Sequence, residues 1–352
     1  LVGIHRDHRG TIQQIHFLTH TRPRGATLHA HSIMNTASTN NNMTREEIIF
    51  EILQATGLNW TVTKEKMYVN TAADDLLVVP DSYASIRSDS NAYLGIVGSR
   101  YEHLQNSEMV SIAYDAGKEV FSTDLELIHP WNNSETLGSF GNMGGGSLRG
   151  GSRVFVQMEL PQLHIGKSGI NRFITLTNSH DGSMSLGFGT TNQVICCANT
   201  FAIANRDVSK IRHTSSMQQR IDEAVASLRK VLTFEDNQMQ VFEIASTRRF
   251  ERQHIADIVS SVFGKSITTS AADVSSKTKN NMAAFAADID KSIDEQGETL
   301  WALFNAVTRY TNHTSNTRDK DYSLMFGSDA ETNERAYKQL LSWINEPSFV
   351  MA

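Results

Sequence analysis

The sequence predicts an α+β protein, a central antiparallel sheet followed by a mainly helical C-terminal third. Three observations carry that reading. Strand-like runs at 153–160, 172–177 and 183–188 follow one another closely, and Ser179-His180-Asp181-Gly182 joins the last two. Asp-Gly between two such runs is a strong hairpin signal. The apolar run 194–204 is expected to begin a buried helix, closing a β-β-β-α unit around 153–204. Beyond it, apolar residues recur at helical spacing along most of the remaining chain.

The elements follow in order. Thr44 and Glu47 form a capping-box pattern, Ile48, Ile49, Ile52 and Leu53 give one apolar helical face, and Gly57 ends it. Residues 58–63 alternate as a strand and return through 64–66 to a second run at 67–70. Residues 85–87 and 93–97 read as a hairpin. Asn106 or Ser107 caps a short helix running to about 116, with Gly117 as its stop. A further strand is expected at 120–128, then a glycine-rich loop or hairpin tip at 138–151. Ser215 and Gln218 form a second capping box, before a stripe of Met217, Ile221, Ala224, Val225, Leu228 and Val231. Helices are expected at 252–263, at 282–310 with a break near Gly297, and at 330–344. The domain reading is an N-terminal arm over 1–43, an α+β core over 44–232 and a helical region over 233–352.

Composition narrows the function. With 39% hydrophobic and 20% charged residues the chain is globular, and no apolar run reaches the ~18 residues of a spanning helix. No apolar leader opens the sequence, and its two cysteines, Cys196 and Cys197, are adjacent. A cytoplasmic protein of a bacterial host, with no membrane partner, is the expectation. Net charge is −6, yet residues 141–230 hold ten basic against five acidic side chains, a local +5 against −11 elsewhere. Such a basic region on an acidic chain is the footprint of a surface for an anionic ligand, or a chance cluster on a solvated face.

Familiar catalytic patterns are missing. There is no GxxxxGK[ST] and no HExxH. His5, His8, His29 and His31 lie in the unpatterned arm without a nearby acidic partner and read as a polar tail. Ser179-His180-Asp181 spells a triad, but three consecutive residues cannot take relay geometry. Cys197 sits among Val194, Ile195 and Ala198, where a thiol is buried and inert. No metal and no cofactor is expected, and the protein is read as not an enzyme.

Several strings go beyond generic pattern. In order they are Arg87-Ser88-Asp89, the run 94–101 (LGIVGSRY), Gln105-Asn106, the run 147–156 (SLRGGSRVFV), the run 176–183 (LTNSHDGS), Asn199-Thr200, the run 211–214 (IRHT) and the run 299–308 (TLWALFNAVT). Together they resemble the phage/plasmid-like family known mainly as a domain of unknown function, across roughly 44–327. The order of elements is also similar, at the level of architecture, to the single-strand annealing recombinases related to eukaryotic recombination mediators. That second resemblance implies a homo-oligomer that binds single-stranded DNA without ATP and anneals strands in phage or plasmid recombination.

Under that reading Arg149, Arg153, Arg172, Arg206, Lys210, Arg212, His213 and His180 form the nucleic-acid surface. The planar donor fork of arginine matches phosphate oxygens. Phe155 and Phe173 either stack on bases or pack in the core. The alternative is a structural or assembly protein of a phage or mobile element. A third reading is a metal-dependent enzyme acting on nucleic acid, with His180, Asp181 and His213 as its candidates.

Overall fold

The structure is a computed structural model that describes residues 44–70, 72, 75–124, 143–194, 199–203, 217–264 and 275–345. Its elements are α1 (Arg45–Thr56), β1 (Val62–Asn70), β2 (Leu76–Arg87), β3 (Tyr93–Gly98), α2 (Asn106–Asp124), β4 (Met143–Leu148), a 3-10 turn (Arg149–Gly151), β5 (Arg153–Ile165), β6 (Ser168–Ser179), β7 (Gly187–Val194) and β8 (Asn199–Ile203). The helical third follows as α3 (Met217–Thr247), α4 (Arg252–Phe263), α5 (Ser276–Gln296), α6 (Leu300–Arg309) with a π turn (Tyr310–Thr314), α7 (Lys320–Phe326) and α8 (Ser328–Asn345). One sheet has the order β1-β2-β3 and the other β4-β5-β6-β7-β8. The α+β class, with a central antiparallel sheet and a mainly helical C-terminal third, is therefore what this sequence folds into.

Two compact units share the chain. The first takes Leu1–Met158, Asn178–Ser185 and His213–Ile221, and the second takes Glu159–Thr177, Leu186–Arg212 and Asp222–Ala352. Position 232 lies within α3, and β5 and β6 each contribute residues to both units.

In the first unit α1 starts at the expected capping box, with the Thr44 amide donating to Glu47 at 2.7 Å, and stops at Gly57 in the left-handed region (φ 66°). Its buried Ile48, Ile49, Ile52 and Leu53 pack beside α2, which buries Met109, Val110, Ile112, Ala113 and Ala116. Arg45 reaches from α1 to Asp115 on α2 at 2.8 Å. Gly117 does not stop α2. The residue has a helical neighbour on every side, and the apolar stripe continues to the buried Val120, so helix replaces the strand expected from 120. The glycine-rich stretch is also more ordered than its composition implies. Gly144, Gly145 and Gly146 form β4, paired with Gln157, Val156 and Phe155. A Cβ on Gly145 would lie 2.5 Å from the Phe155 carbonyl, so glycine is what lets the two backbones approach. Residues 58–70 do not fold back on themselves. Val62–Asn70 is the single strand β1, whose partner is β2.

In the second unit β6, β7 and β8 form a meander with the latter part of β5. The hairpin at Asp181-Gly182 is present, but β7 begins at Gly187 rather than at 183. The expected buried helix at 194–204 is corrected to strand over its described part. β8 pairs Asn199–Ile203 with Thr190–Val194, so the backbone of this run is hydrogen-bonded to a neighbouring strand rather than to its own next turn. Over the helices, Phe242, Trp301 and Phe304 cluster with ring centroids 4.7 to 5.8 Å apart, and Trp343, Leu340, Phe285 and Ile170 complete the core. The predicted break near Gly297 is real: Gly297 (φ 81°) ends α5, and Thr299 caps α6.

Candidate functional site

In the first unit the strings singled out in the sequence come together around one histidine. His180 is fully buried just past the end of β6. Its Nε2 lies 2.9 Å from Oδ1 of Asn106, the first residue of α2, and its backbone N–H donates to the Ser152 carbonyl at 2.9 Å. The Nδ2 of Asn106 donates to the carbonyls of Leu58 (3.0 Å) and Trp60 (3.1 Å). The Trp60 ring meets the His180 ring edge-on at 5.3 Å. One asparagine thus ties the α1–β1 connection, α2 and the 176–183 motif together.

Two further residues close the cluster. The Arg87 guanidinium stacks 4.3 Å over the Trp60 ring, chelates Asp89 at 2.6 and 2.8 Å, and donates to the Gly150 carbonyl at 3.2 Å. This holds the 149–151 turn from beneath. Gly151 (φ 112°) is pressed against Trp60, where a Cβ would lie 3.0 Å from the ring. On the other side His103 shares a 2.7 Å hydrogen bond with the buried Ser85 hydroxyl, and its ring lies 5.2 Å from Tyr101 and 6.3 Å from His180. The Tyr101 hydroxyl donates to the Ser179 carbonyl at 2.9 Å.

Asp181 is the ionic centre of the 176–183 loop. It accepts from the Ser183 amide (3.0 Å) and hydroxyl (2.6 Å) and pairs with Arg153 at 2.5 Å. Burial works against its charge, but the hydrogen bonds from Arg153 and Ser183 outweigh that and hold its carboxyl below the usual range. Gly95 of β3 lies directly on this aspartate; a Cβ there would sit 2.5 Å from the Asp181 Cβ.

The expected nucleic-acid residues divide sharply. Arg149 is exposed on its turn, in the left-handed region at φ 50°. Arg153 is 6% exposed and paired with Asp181. Arg172, in the second unit, is 7% exposed and forked onto the buried Glu235 of α3, with Asp236 at 3.2 Å. Burial raises the Glu235 carboxyl, and Arg172 offsets this only in part. Arg153 and Arg172, expected as phosphate contacts or on a solvated face, are instead buried, and each neutralises a carboxylate inside the fold, because a buried guanidinium requires one. His180 is likewise interior. Phe155 and Phe173 are 1% and 4% exposed, so both are core residues rather than stacking platforms. Arg206, Lys210, Arg212 and His213 lie outside the described residues.

Sequence reasoning passed over Trp60, Arg87, His103 and Asn106 as site residues. The signal was present, since Arg87 and Asn106 open and close the first group of strings. Among the described residues no group of three His, Cys, Asp or Glu side chains is placed to hold a metal ion, and no helix is long and apolar enough to cross a membrane.

The comparisons with known proteins agree with the strings. Residues 136–336, more than half of the chain, match the family described as a domain of unknown function, DUF932, and the chain belongs to that family. The match contains the 147–156, 176–183 and 299–308 motifs and begins after Arg87 and Asn106, which the structure nevertheless packs onto the matched residues of the first unit. No curated protein and no solved structure matches the chain.

Proposed function

We propose that the protein binds single-stranded DNA as a homo-oligomer and anneals strands without a nucleotide cofactor. The observation that carries this reading is Arg149. It projects from a turn that Arg87 and Trp60 hold from the interior, beside the paired glycines Gly150 and Gly151 of the 147–156 motif. A charged side chain on a rigid turn meets phosphate with little ordering cost. The +5 balance of residues 141–230 supports an anionic ligand for this part of the chain, even though Arg153, Arg172 and Arg220 are each paired with a carboxylate.

The test is anisotropy of a labelled single-stranded oligonucleotide against its duplex at low and moderate salt. Binding that prefers the single strand and falls steeply with salt supports the proposal, because bound phosphates release counterions. Arg149→Ala should weaken it and reduce the salt slope by about one phosphate contact. Absence of binding at low salt overturns the reading. The assembly-protein alternative is favoured by a different feature, an apolar hairpin arm on the first unit, and predicts self-association with weak, unselective DNA binding.

A further inference from the structure

Nine large apolar side chains are exposed among the described residues, and five of them, Tyr68, Val69, Leu76, Leu77 and Val78, stand together where β1 and β2 run beyond β3. Each is at least half exposed. A concentration of this kind on one hairpin marks a contact surface.

The two edges of that arm differ. On β2 the outer edge is covered by β3 from Ser82 to Ile86 and is then interrupted by Asp81, at φ 51°, and by Pro80, which has no N–H to offer. β2 also absorbs the whole irregularity of the pairing: Lys66 faces Tyr83 and Tyr68 faces Val78, so residues 79–82 stand opposite Met67 alone. β1 therefore runs extended from Val62 to Asn70, and it is an edge strand. Among the described residues only its start is capped, where the Gln105 side-chain amide takes the Val62 N–H and C=O at 2.9 and 3.0 Å.

That cap fixes which residues face outward. The Thr61 carbonyl accepts from Ser88, beyond the end of β2, and Val62 turns away to Gln105, so Lys64, Lys66, Tyr68 and Asn70 direct their backbone groups to the open side. Two such strands related by a two-fold axis must pair outward residue with outward residue, so the axis passes through a residue. Through Glu65 it would set Glu65 against itself and Lys64 against Lys66. Through Lys66 it would set two lysines together. Through Met67 it sets Lys66 against the partner's Tyr68 and Glu65 against the partner's Val69, with no like charges opposed. This is also the longest ladder free of such repulsion, spanning 64–70.

We propose that β1 is a dimerisation strand, pairing antiparallel with β1 of a second copy of this chain about an axis at Met67. This deepens the homo-oligomeric part of the reading above and is independent of DNA.

Met67→Cys, in a background with Cys196 and Cys197 changed to serine, tests the register. The two position-67 Cα atoms would form a non-hydrogen-bonded pair about 4.5 Å apart, within disulfide reach. At position 65 the two would be roughly 13 Å apart along the strands. With oxidised glutathione, Met67→Cys is expected to run predominantly as a disulfide dimer on a non-reducing gel, and Glu65→Cys as monomer. Tyr68→Lys with Val69→Lys should convert the dimer to monomer in sedimentation while leaving the circular dichroism unchanged. Equal cross-linking at 65 and 67, or a full-length chain that sediments as monomer at tens of micromolar, overturns the proposal. A monomer that still binds single strands would leave the DNA reading standing, and a cross-linked dimer that binds none would do the reverse.

Discussion

Nε2 of His180 and Oδ1 of Asn106 are 2.9 Å apart, and that asparagine's two amide hydrogens are both committed to the carbonyls of Leu58 and Trp60. Oδ1 is therefore the acceptor and Nε2 of His180 carries the hydrogen. All of these groups are enclosed, so their worth lies in satisfying one another. A residue with this pattern is a structural keystone, and the family motif around His180 reads accordingly as scaffold beneath the 149–151 turn.

Asn106→Ala should destabilise the protein by about 3 kcal/mol, because two buried carbonyls and a histidine N–H lose their partner at once. Asn106→Asp should not restore stability, since a carboxylate cannot donate to those carbonyls. Urea unfolding followed by tryptophan fluorescence reports the change. A loss under about 1 kcal/mol would mean that water replaces the amide and the keystone role is wrong.

Arg149 and Arg153, four residues apart, should behave as opposites. Arg149→Ala is expected to cost less stability than Arg153→Ala and to weaken single-strand binding. Arg153→Ala strips Asp181 of its ion pair and should cost about 2 kcal/mol, less than a fully enclosed pair because the carboxylate retains some solvent contact. Parallel melting and binding curves separate the two. If both variants lose affinity equally at unchanged stability, Arg153 is a contact residue after all.

The glycines of β3 make a sharper pair. Gly95→Ala drives a methyl to 2.5 Å from the Asp181 Cβ, whereas a Cβ on Gly98 has nothing within 4 Å. Thermal melts should show Gly95→Ala clearly destabilised, by roughly 1–3 kcal/mol for an overpacked contact, and Gly98→Ala close to unchanged. Equal melting temperatures would show that the β3–Asp181 contact is looser than drawn.

Much of the fold was legible because it follows periodicity. The stripe from Ile221 to Val231, the cap at Thr44, the break near Gly297 and the Asp181-Gly182 hairpin all rest on local chemistry that the structure retains. The failures share a physical cause. Gly117 and the glycines 144–146 were read by intrinsic preference and the run 194–204 by its apolar character, and tertiary partners decided otherwise: an apolar helix face, the Phe155 backbone, and, for 199–203, the edge of β7. The site was legible only in part. A sequence shows that Arg153 and Arg172 are basic, but their carboxylate partners stand 28 and 63 residues away, a pairing no local pattern encodes.

Acid should loosen the first unit through Asp181. Its folded carboxyl titrates below the unfolded value of about 3.9, so across that interval the unfolded chain binds more protons and stability rises with pH. The contribution is complete above the unfolded value and is lost as pH falls through the lower, folded one. Asp181→Asn removes the titrating group while keeping an acceptor for Arg153 and Ser183. Unfolding free energy measured between pH 3 and pH 7 should therefore fall less steeply at the acid end in Asp181→Asn than in the natural sequence, though from a lower plateau. Superimposable acid limbs would show that the Arg153–Asp181 pair does not distinguish the folded from the unfolded carboxylate, and the ionic centre assigned to the 176–183 loop would have to be given up.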